Sequence, residues 1–328
     1  MAQLTVLQAI NKTLEQQMEK DDKIVVFGED AGFEGGVFRV TAGLQKKFGE
    51  ERVFDTPIAE AAILGSAVGM AANGLKPVAE IQFSGFMFPG YNQIVTHMAR
   101  MRNRSRGKFN LPIVVRMPYG GGVRALEHHS ESLETLFAHI PGLKLVIPST
   151  PYDAKGLLTA ALKDPDPVIY MEPKKIYRAF KQEVPEEEYT VEIGKAKVVK
   201  KGEALTVVAW GALVREVQQA LKLLEEEGNP VDVELIDLRT IAPMDTDTII
   251  ESVKKTGRIL VVHEAVKTLG IGAEIISRVN EKAFFYLEAQ PTRLTGFDIT
   301  VPLPKGEHHF MLDPKRIAFE IKKLASFK

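Results

Sequence analysis

The sequence predicts an α/β protein of two doubly wound domains, each a mostly parallel sheet with helices on both faces. Three observations predict it. Short runs rich in β-branched residues alternate with segments of helical period along most of the chain. The alternation stops once, over the polar and charged stretch EVPEEEYTVEIGKAKVVKKGEA (183–204), and then restarts. A length of 328 residues is long for one compact domain and comfortable for two. The expected division is a first domain over 1–185, a linker over 186–203 and a second domain over 204–328.

The elements follow in order. MAQLTVLQAINKTLEQQMEKDD spaces its apolar residues on one helix face, and it lacks the basic start and unbroken apolar core of a signal peptide. KIVVFGED (23–30) reads as a buried strand, followed by a helix near 39–49. DTPIAEAAILGSAVGMAANG (55–74) places a helix over 57–73, with Pro57 as its first residue and Thr56 as the cap. Strands KPVAEIQF (76–83), LPIVVRMP (111–118), LKLVIPS (143–149) and PVIYME (167–172) follow, with helices near 88–103 and 151–163 between them. After the polar stretch come strand LTVVAW (205–210), a helix near 213–227, strand VDVELIDL (231–238) and a helix near 246–255. RILVVHE (258–264), a helix near 271–281, TRLTGF (292–297) and a final helix in DPKRIAFEIKKLASF complete the pattern.

Composition narrows the function classes. A net charge of −1 and a pI of about 6.7 favour neither nucleic acid nor an anionic membrane as partner. With no cysteine, disulfides, thiolate metal sites and cysteine nucleophiles are excluded. The longest apolar run is too short and too rich in glycine to span a bilayer. These features suit a soluble protein of a reducing cytoplasm.

Glu60 is the first candidate for chemistry. It is the one ionisable group between Ile58 and Ala72, one residue too late for a capping box on Thr56. It either complements the helix dipole or, because its neighbours are apolar all round, is buried with a partner or a proton to manage. Alternation along KPVAEIQFSGFMF sets Val78, Glu80 and Gln82 on one face, and open parallel sheets bind ligands beyond their carboxyl ends, where Gln82, Phe83 and Phe86 fall. RMPYGGGVRALEHHSES (116–132) follows a strand with three glycines, which serve either a tight turn or close approach to a ligand. It has no phosphate-loop spacing. Of its histidines, His128 and His129, one could act as acid or base near neutral pH. Adjacent histidines point apart, which disfavours a shared metal. KDPDPVIY (163–170) is a stiff turn that could aim carbonyls and carboxylates at a hard cation. GIGAEI (270–275) lacks the third glycine of a dinucleotide fingerprint, and His308 and His309 fall in an expected surface loop.

Long ordered motifs, namely GEDAGFEGGVFRVTAGLQKKFG, RVFDTPIAE, EIQFSGF, GGGVRALEHHSES, IPSTPYDAKGLL, EPKKIYRAF, ELIDLRTIAPMDTDTI and KTGRILVVHEA, run nearly the full length. They resemble the β subunit of the thiamine-dependent decarboxylase component of 2-oxo acid dehydrogenase complexes, most closely the bacterial pyruvate enzymes. The resemblance implies a transketolase-like pyrimidine-binding domain followed by a C-terminal domain. It implies thiamine diphosphate shared with an α subunit in an α₂β₂ assembly, the diphosphate and Mg²⁺ held mainly by that partner. It implies that Glu60 hydrogen-bonds the aminopyrimidine and promotes loss of the thiazolium proton, with Phe86 stacked on the ring and Ile58 and Gln82 lining the pocket. A carboxylate held there in an apolar pocket is expected to share a proton with the ring. His129 would donate a proton as the lipoyl disulfide is acylated. A monovalent cation, K⁺ as the candidate, would sit on Ile113, Ala161, Leu162, Asp164 and Asp166. The second domain would dock the subunit-binding domain of the acyltransferase core, whose lipoyl domain is the acyl acceptor. A branched-chain 2-oxo acid or acetoin dehydrogenase β subunit, or a non-catalytic assembly subunit, are the alternatives.

Overall fold

The computed structural model describes residues 1–327, and the statements below refer to those residues. The chain begins with β1 (Ala2–Leu4), α1 (Val6–Lys20), β2 (Ile24–Gly28), α2 (Leu44–Phe48), β3 (Val53–Asp55), α3 (Glu60–Ala72) and β4 (Lys76–Glu80). Next come α4 (Met101–Arg104), β5 (Val114–Tyr119), α5 (Glu134–Ala138), β6 (Lys144–Val146), α6 (Pro151–Lys163), β7 (Val168–Pro173) and β8 (Gln182–Val184). The second half holds β9 (Lys197–Lys200), β10 (Leu205–Ala209), α7 (Ala212–Glu226), β11 (Val233–Asp237), β12 (Thr240–Ala242) and α8 (Thr246–Thr256). It ends with β13 (Ile259–Val266), α9 (Ile271–Ala283), β14 (Thr292–Gly296), α10 (Glu307–Phe310) and α11 (Pro314–Ala325).

Among the described residues one sheet has seven strands in the order β12-β6-β7-β5-β4-β2-β3, parallel except where β12 runs against β6. The other has five, β14-β13-β10-β11-β9, parallel except at β9. β1 and β8 form a small antiparallel ribbon. Helices cover both faces of each large sheet, so β2, β5, β7, β10 and β11 are buried along their whole length, as their unbroken apolar runs require. A continuous core joins the two sheets, with Ile63, Leu64 and Phe137 at one end and Trp210, Val253 and Val261 at the other.

Local chemistry sets the helix starts. Thr5 and Gln8 form a reciprocal capping box on α1, Thr150 with Pro151 opens α6, and Asp313 with Pro314 opens α11. Such caps are worth about 1 kcal/mol each. α3 departs from the expected start. Thr56 donates its N–H to the Gly28 carbonyl at 3.0 Å, which keeps it in the sheet, and Ala59 takes the cap position without a side-chain bond. Glu60 is therefore the first residue of the helix. α2 is shorter than expected because Arg39 and Gly43 adopt left-handed backbone before it. The segment expected as one helix over 88–103 breaks into a 3₁₀ turn at Phe88–Gly90, a π turn at Gln93–Met98 and α4. The polar stretch 183–204 is not featureless, since Lys197–Lys200 pairs as an edge strand on β11. No helix of the described residues is long and apolar enough to cross a membrane.

Candidate active site

The parallel strands β2, β3, β4 and β5 open their carboxyl ends onto one edge of the larger sheet, the position where such sheets bind ligands. Glu29 and Asp30 follow β2, Asp55 ends β3, and Gln82 follows β4. Gln82 Nε2 donates to Asp30 at 2.9 Å and to the Glu29 carbonyl at 3.4 Å. Asp55 accepts from the N–H groups of Gly32 at 2.6 Å and Phe33 at 3.0 Å, which folds the glycine loop after β2. Burial pushes the carboxyl of Glu29 up to about 6, and the charges of Glu60 and Asp30 push in the same direction. Sequence reasoning misses Glu29, because a glutamate directly after a strand has no distinctive spacing.

Glu60 itself is half-buried, and no hydrogen bond or ion pair within the described residues engages its carboxylate. The all-round burial expected of its helix is corrected here. α3 buries Ile63, Leu64, Ala67 and Ala71 but exposes Ala61, Ala62, Ser66, Gly69 and Ala72, and Ile58 ahead of it is 85% exposed. The helix is apolar on its outer face because that face consists of small residues. Such residues bury little area alone and admit the close approach of another surface.

Phe83, Phe86 and His129 meet edge to face. Their ring centroids lie 5.2 Å apart for the two phenylalanines, 4.4 Å for Phe83 and His129, and 5.0 Å for Phe86 and His129. Phe83 is buried and serves the core, whereas Phe86 is half-buried. His129 sits on a single 3₁₀ turn, Glu127–His129, while His128 projects outward 3.8 Å from Glu131. The Nδ1 atom of His129 is buried without a hydrogen-bond partner. Burial first, and the Lys174 ammonium next, hold the imidazole below the usual histidine range.

The three glycines before this turn face protein groups. Gly121 N–H donates to Glu264 at 2.5 Å, and Gly122 and Arg124 N–H each donate to Glu307 at 2.9 Å. Ser132 Oγ donates to Glu264 at 3.2 Å, and Lys174 Nζ donates to the His129 carbonyl. A Cβ at Gly121 would stand 2.8 Å from the Met311 sulfur, and Gly122 has φ near +88°. Glu264, Glu307 and Lys174 are not legible in the sequence as partners of this loop, since the first two come from the opposite end of the chain. His308 and His309, beside Glu307, are exposed and stack on each other in α10. Gly270 and Gly272 leave room for the buried His263 ring, which a Cβ at either would meet at 2.6 or 2.8 Å.

The residues expected at a monovalent cation lie at the amino ends of β5 and β7, whereas Glu60 follows the carboxyl end of β3. Ile113 precedes β5, Ala161 and Leu162 end α6, and Asp164 and Asp166 precede β7. Both carboxylates already face cations: Lys144 Nζ is 2.6 Å from Asp164 and 3.8 Å from Asp166, and Arg102 Nη1 is 2.6 Å from Asp166. The Ala161 carbonyl accepts from Asp164 N–H and the Ile113 carbonyl from Val168 N–H. A cavity of about 630 Å³, with Arg102, His139, Lys144, Asp166 and Pro243 among its walls, opens on this side. Its size does not mark the chemistry, because none of Glu60, Phe86 and His129 lines it.

Comparison with known proteins gives a consistent picture. Residues 2–179 match the family described as transketolase, pyrimidine binding domain, and residues 194–317 match transketolase, C-terminal domain. The pyruvate dehydrogenase E1 component subunit beta of Acholeplasma laidlawii is 70% identical over 325 residues, 99% of each chain. The subunit of that name from Mycoplasma pneumoniae is 55% identical over 92% of each chain, and that of Bacillus subtilis 49% identical over 100% of each. Among solved structures, one described as a split gene transketolase, an inactive beta4 tetramer, superposes with a TM-score of 0.80 at 20% identity over 99% of both chains. A transketolase from Pichia stipitis superposes at 0.69 with 16% identity, covering 100% of this chain and 46% of that one. The two structures bear on the fold, which is transketolase-like.

Proposed function

The chain belongs to the family of pyruvate dehydrogenase E1 component β subunits, and from that membership we propose that it is one half of a 2-oxo acid dehydrogenase that decarboxylates pyruvate and acylates a lipoyl group. The observation that carries the reading is Glu60, a carboxylate without a partner among the described residues, opening a helix whose outer face is small and apolar. Such a face fits an α subunit laid across it, and the shared site would lie between them. The chain alone is then inactive, and two such pairs would make the α₂β₂ assembly. We divide the chain for this purpose into a pyrimidine-binding domain over 1–185, a connection over 186–203 and a C-terminal domain over 204–328.

Thiamine diphosphate, when bound, supplies the acidic thiazolium carbon and the electron sink that decarboxylation of a 2-oxo acid needs. The residues present fit its aminopyrimidine end: a free carboxylate at Glu60, a half-buried ring at Phe86, and Ile58 and Gln82 at the rim. They do not fit the diphosphate. Glu29, Asp30, Asp55 and Glu60 crowd one edge of the sheet, and that negative field repels a diphosphate, which favours placing it on the partner subunit, with Mg²⁺ following its oxygens there. With that group bound, Glu60 would hold a hydrogen bond to a ring nitrogen of the aminopyrimidine and move a proton across it. Phe86 would pack against the ring and, with Ile58, exclude water. His129 holds the proton that is given to the lipoyl sulfur as the disulfide opens. For K⁺ we propose binding by backbone oxygens of Ile113, Ala161, Leu162 and Asp164, with Asp166 at the edge, since the carboxylates are engaged by Lys144 and Arg102. The acyltransferase core docks through its subunit-binding domain on the C-terminal domain, and the assembly works in the cytoplasm.

Calorimetric titration of thiamine diphosphate with Mg²⁺ into this chain, alone and mixed with an α subunit, tests the proposal. Binding and pyruvate decarboxylation are expected only in the mixture. Tight binding by the chain alone would overturn the shared site.

A further inference from the structure

The loop that carries His129 is anchored from outside its own sheet. Residues 120–132 connect β5 to α5 with one short 3₁₀ turn as their only regular structure, and Val123, Arg124, Leu126 and His128 are exposed. Gly120 and Gly122 bring conformational freedom that the folded loop must give up, and Arg124 is held in the left-handed region that a side chain disfavours. Its own bonds, Gly120 N–H to Glu131 and the turn bonds of His129 and Ser130, leave the N–H groups of Gly121, Gly122 and Arg124 to be satisfied elsewhere. Glu264, on β13 of the second sheet, and Glu307, opening α10, accept all three, and both carboxylates are buried. On the other side the ammonium of Lys174, 5.4 Å from the Phe83 ring centre, donates to the His129 carbonyl. Hydrogen bonds to ionised groups are roughly twice as strong as neutral ones. The placement of the imidazole against Phe83 and Phe86 thus hangs on three charged groups that do not touch it.

We propose that Glu264, Glu307 and Lys174 are positioning residues for His129, so that Glu264 of the second sheet and Glu307 of α10 from one side, and Lys174 after β7 from the other, set where the proton donor to the lipoyl sulfur stands. The inference rests on the reading of His129 as that donor. Burial pushes the Lys174 ammonium down to about 8, and the charges of Glu264 and Glu307 offset part of that.

The test uses the enzyme assembled with its α subunit and the variants Glu307→Gln and Lys174→Met. Amide exchange in the peptide spanning 120–132 is expected to rise about tenfold or more, the scale of losing one charge-assisted bond. The kcat of lipoyl-domain acylation is expected to fall about tenfold, with KM for the lipoyl domain and decarboxylation with an artificial electron acceptor both within about twofold. A merely structural role would lower both activities together. Unchanged exchange, or equal loss in the two assays, would overturn the inference. The control is His129→Ala. If that variant acylates the lipoyl domain at the wild-type rate, the donor reading fails, and the exchange measurement alone decides whether the three groups hold the loop.

Discussion

Glu60 and His129 face opposite electrostatic problems, and each leads to a measurable outcome. Glu60 has no hydrogen-bond partner among the described residues, and its charge adds to the burial that raises the neighbouring Glu29 to about 6. Glu60→Gln keeps shape and removes the ionisable oxygen. It is expected to leave the α–β assembly intact while slowing thiazolium proton exchange by about 10²-fold or more, the usual scale of one acid–base group. Wild-type exchange rates in that variant would remove Glu60 from the mechanism. For His129, burial and the Lys174 ammonium depress the pKa, so the charged form is lost at a lower pH than in a free histidine. If the imidazolium is the donor, the rate of lipoyl acylation should decline as pH rises through a value below 6.5, and His129→Ala should abolish that limb. A limb above the ordinary histidine range would contradict the environment described.

At the scale of one element, α3 separates what is legible in sequence from what is not. Its existence follows from the apolar run, although the helix starts at Glu60 rather than Pro57, and Glu60 stands out as the one anomalous residue. Two properties escape the pattern. The sequence assigns the cap to Thr56, although a backbone bond to Gly28 holds that residue in the sheet. An apolar outer face reads as burial, although hydropathy alone cannot tell a face buried in its own chain from one reserved for another surface. Gly69 distinguishes these, because a Cβ there meets nothing within 4 Å. Gly69→Ala should therefore stabilise the isolated chain by about 0.5–1 kcal/mol, read as a higher melting temperature. Gly69→Leu should leave its fold intact and weaken association with an α subunit at least about tenfold, read by titration. Undiminished association would mean that α3 is not the covered face. Glu264 and Glu307 are out of reach for a different reason: their loop partners lie 143 and 185 positions away in sequence, and neither segment carries a periodic cue.

Across the whole molecule, buried charge sets the conditions of stability. Arg116 on β5 is completely buried, bridging Glu80 on β4 at 2.7 Å and Glu172 on β7 at 2.7 Å, while Tyr177 donates to Glu172. Arg116→Met would leave two uncompensated carboxylates between adjacent strands and should cost about 3–5 kcal/mol, read by denaturant unfolding. Glu134, fully buried near the junction of the two sheets, has no well-formed hydrogen-bond partner, and burial pushes its pKa up to about 7. A carboxyl raised in the folded state binds its proton more tightly there than when unfolded. Its contribution is complete below the unfolded value of 4.5 and is lost as pH rises to about 7. Glu134→Gln should accordingly stabilise the protein more at pH 8 than at pH 5, by about 2 kcal/mol. An equal effect at both pH values would show that folding does not raise the pKa of this carboxyl.

The order of strands in the larger sheet bears on how the protein is made. The edge strand β12 closes that sheet on β6, yet it follows β6 by more than ninety positions and comes after three strands of the smaller sheet. On a ribosome the chain emerges from its amino end, so β6 waits with an open edge until residues 240–242 have been synthesised. At roughly 5–20 residues per second that exposure lasts several seconds at least. An uncapped, buried-type strand is the kind of edge on which chains associate wrongly. Nascent chains stalled before residue 240 should therefore engage general chaperones more than chains stalled after the edge has closed. A gene split in the polar stretch 183–204 should yield a first half that aggregates unless the second half is supplied.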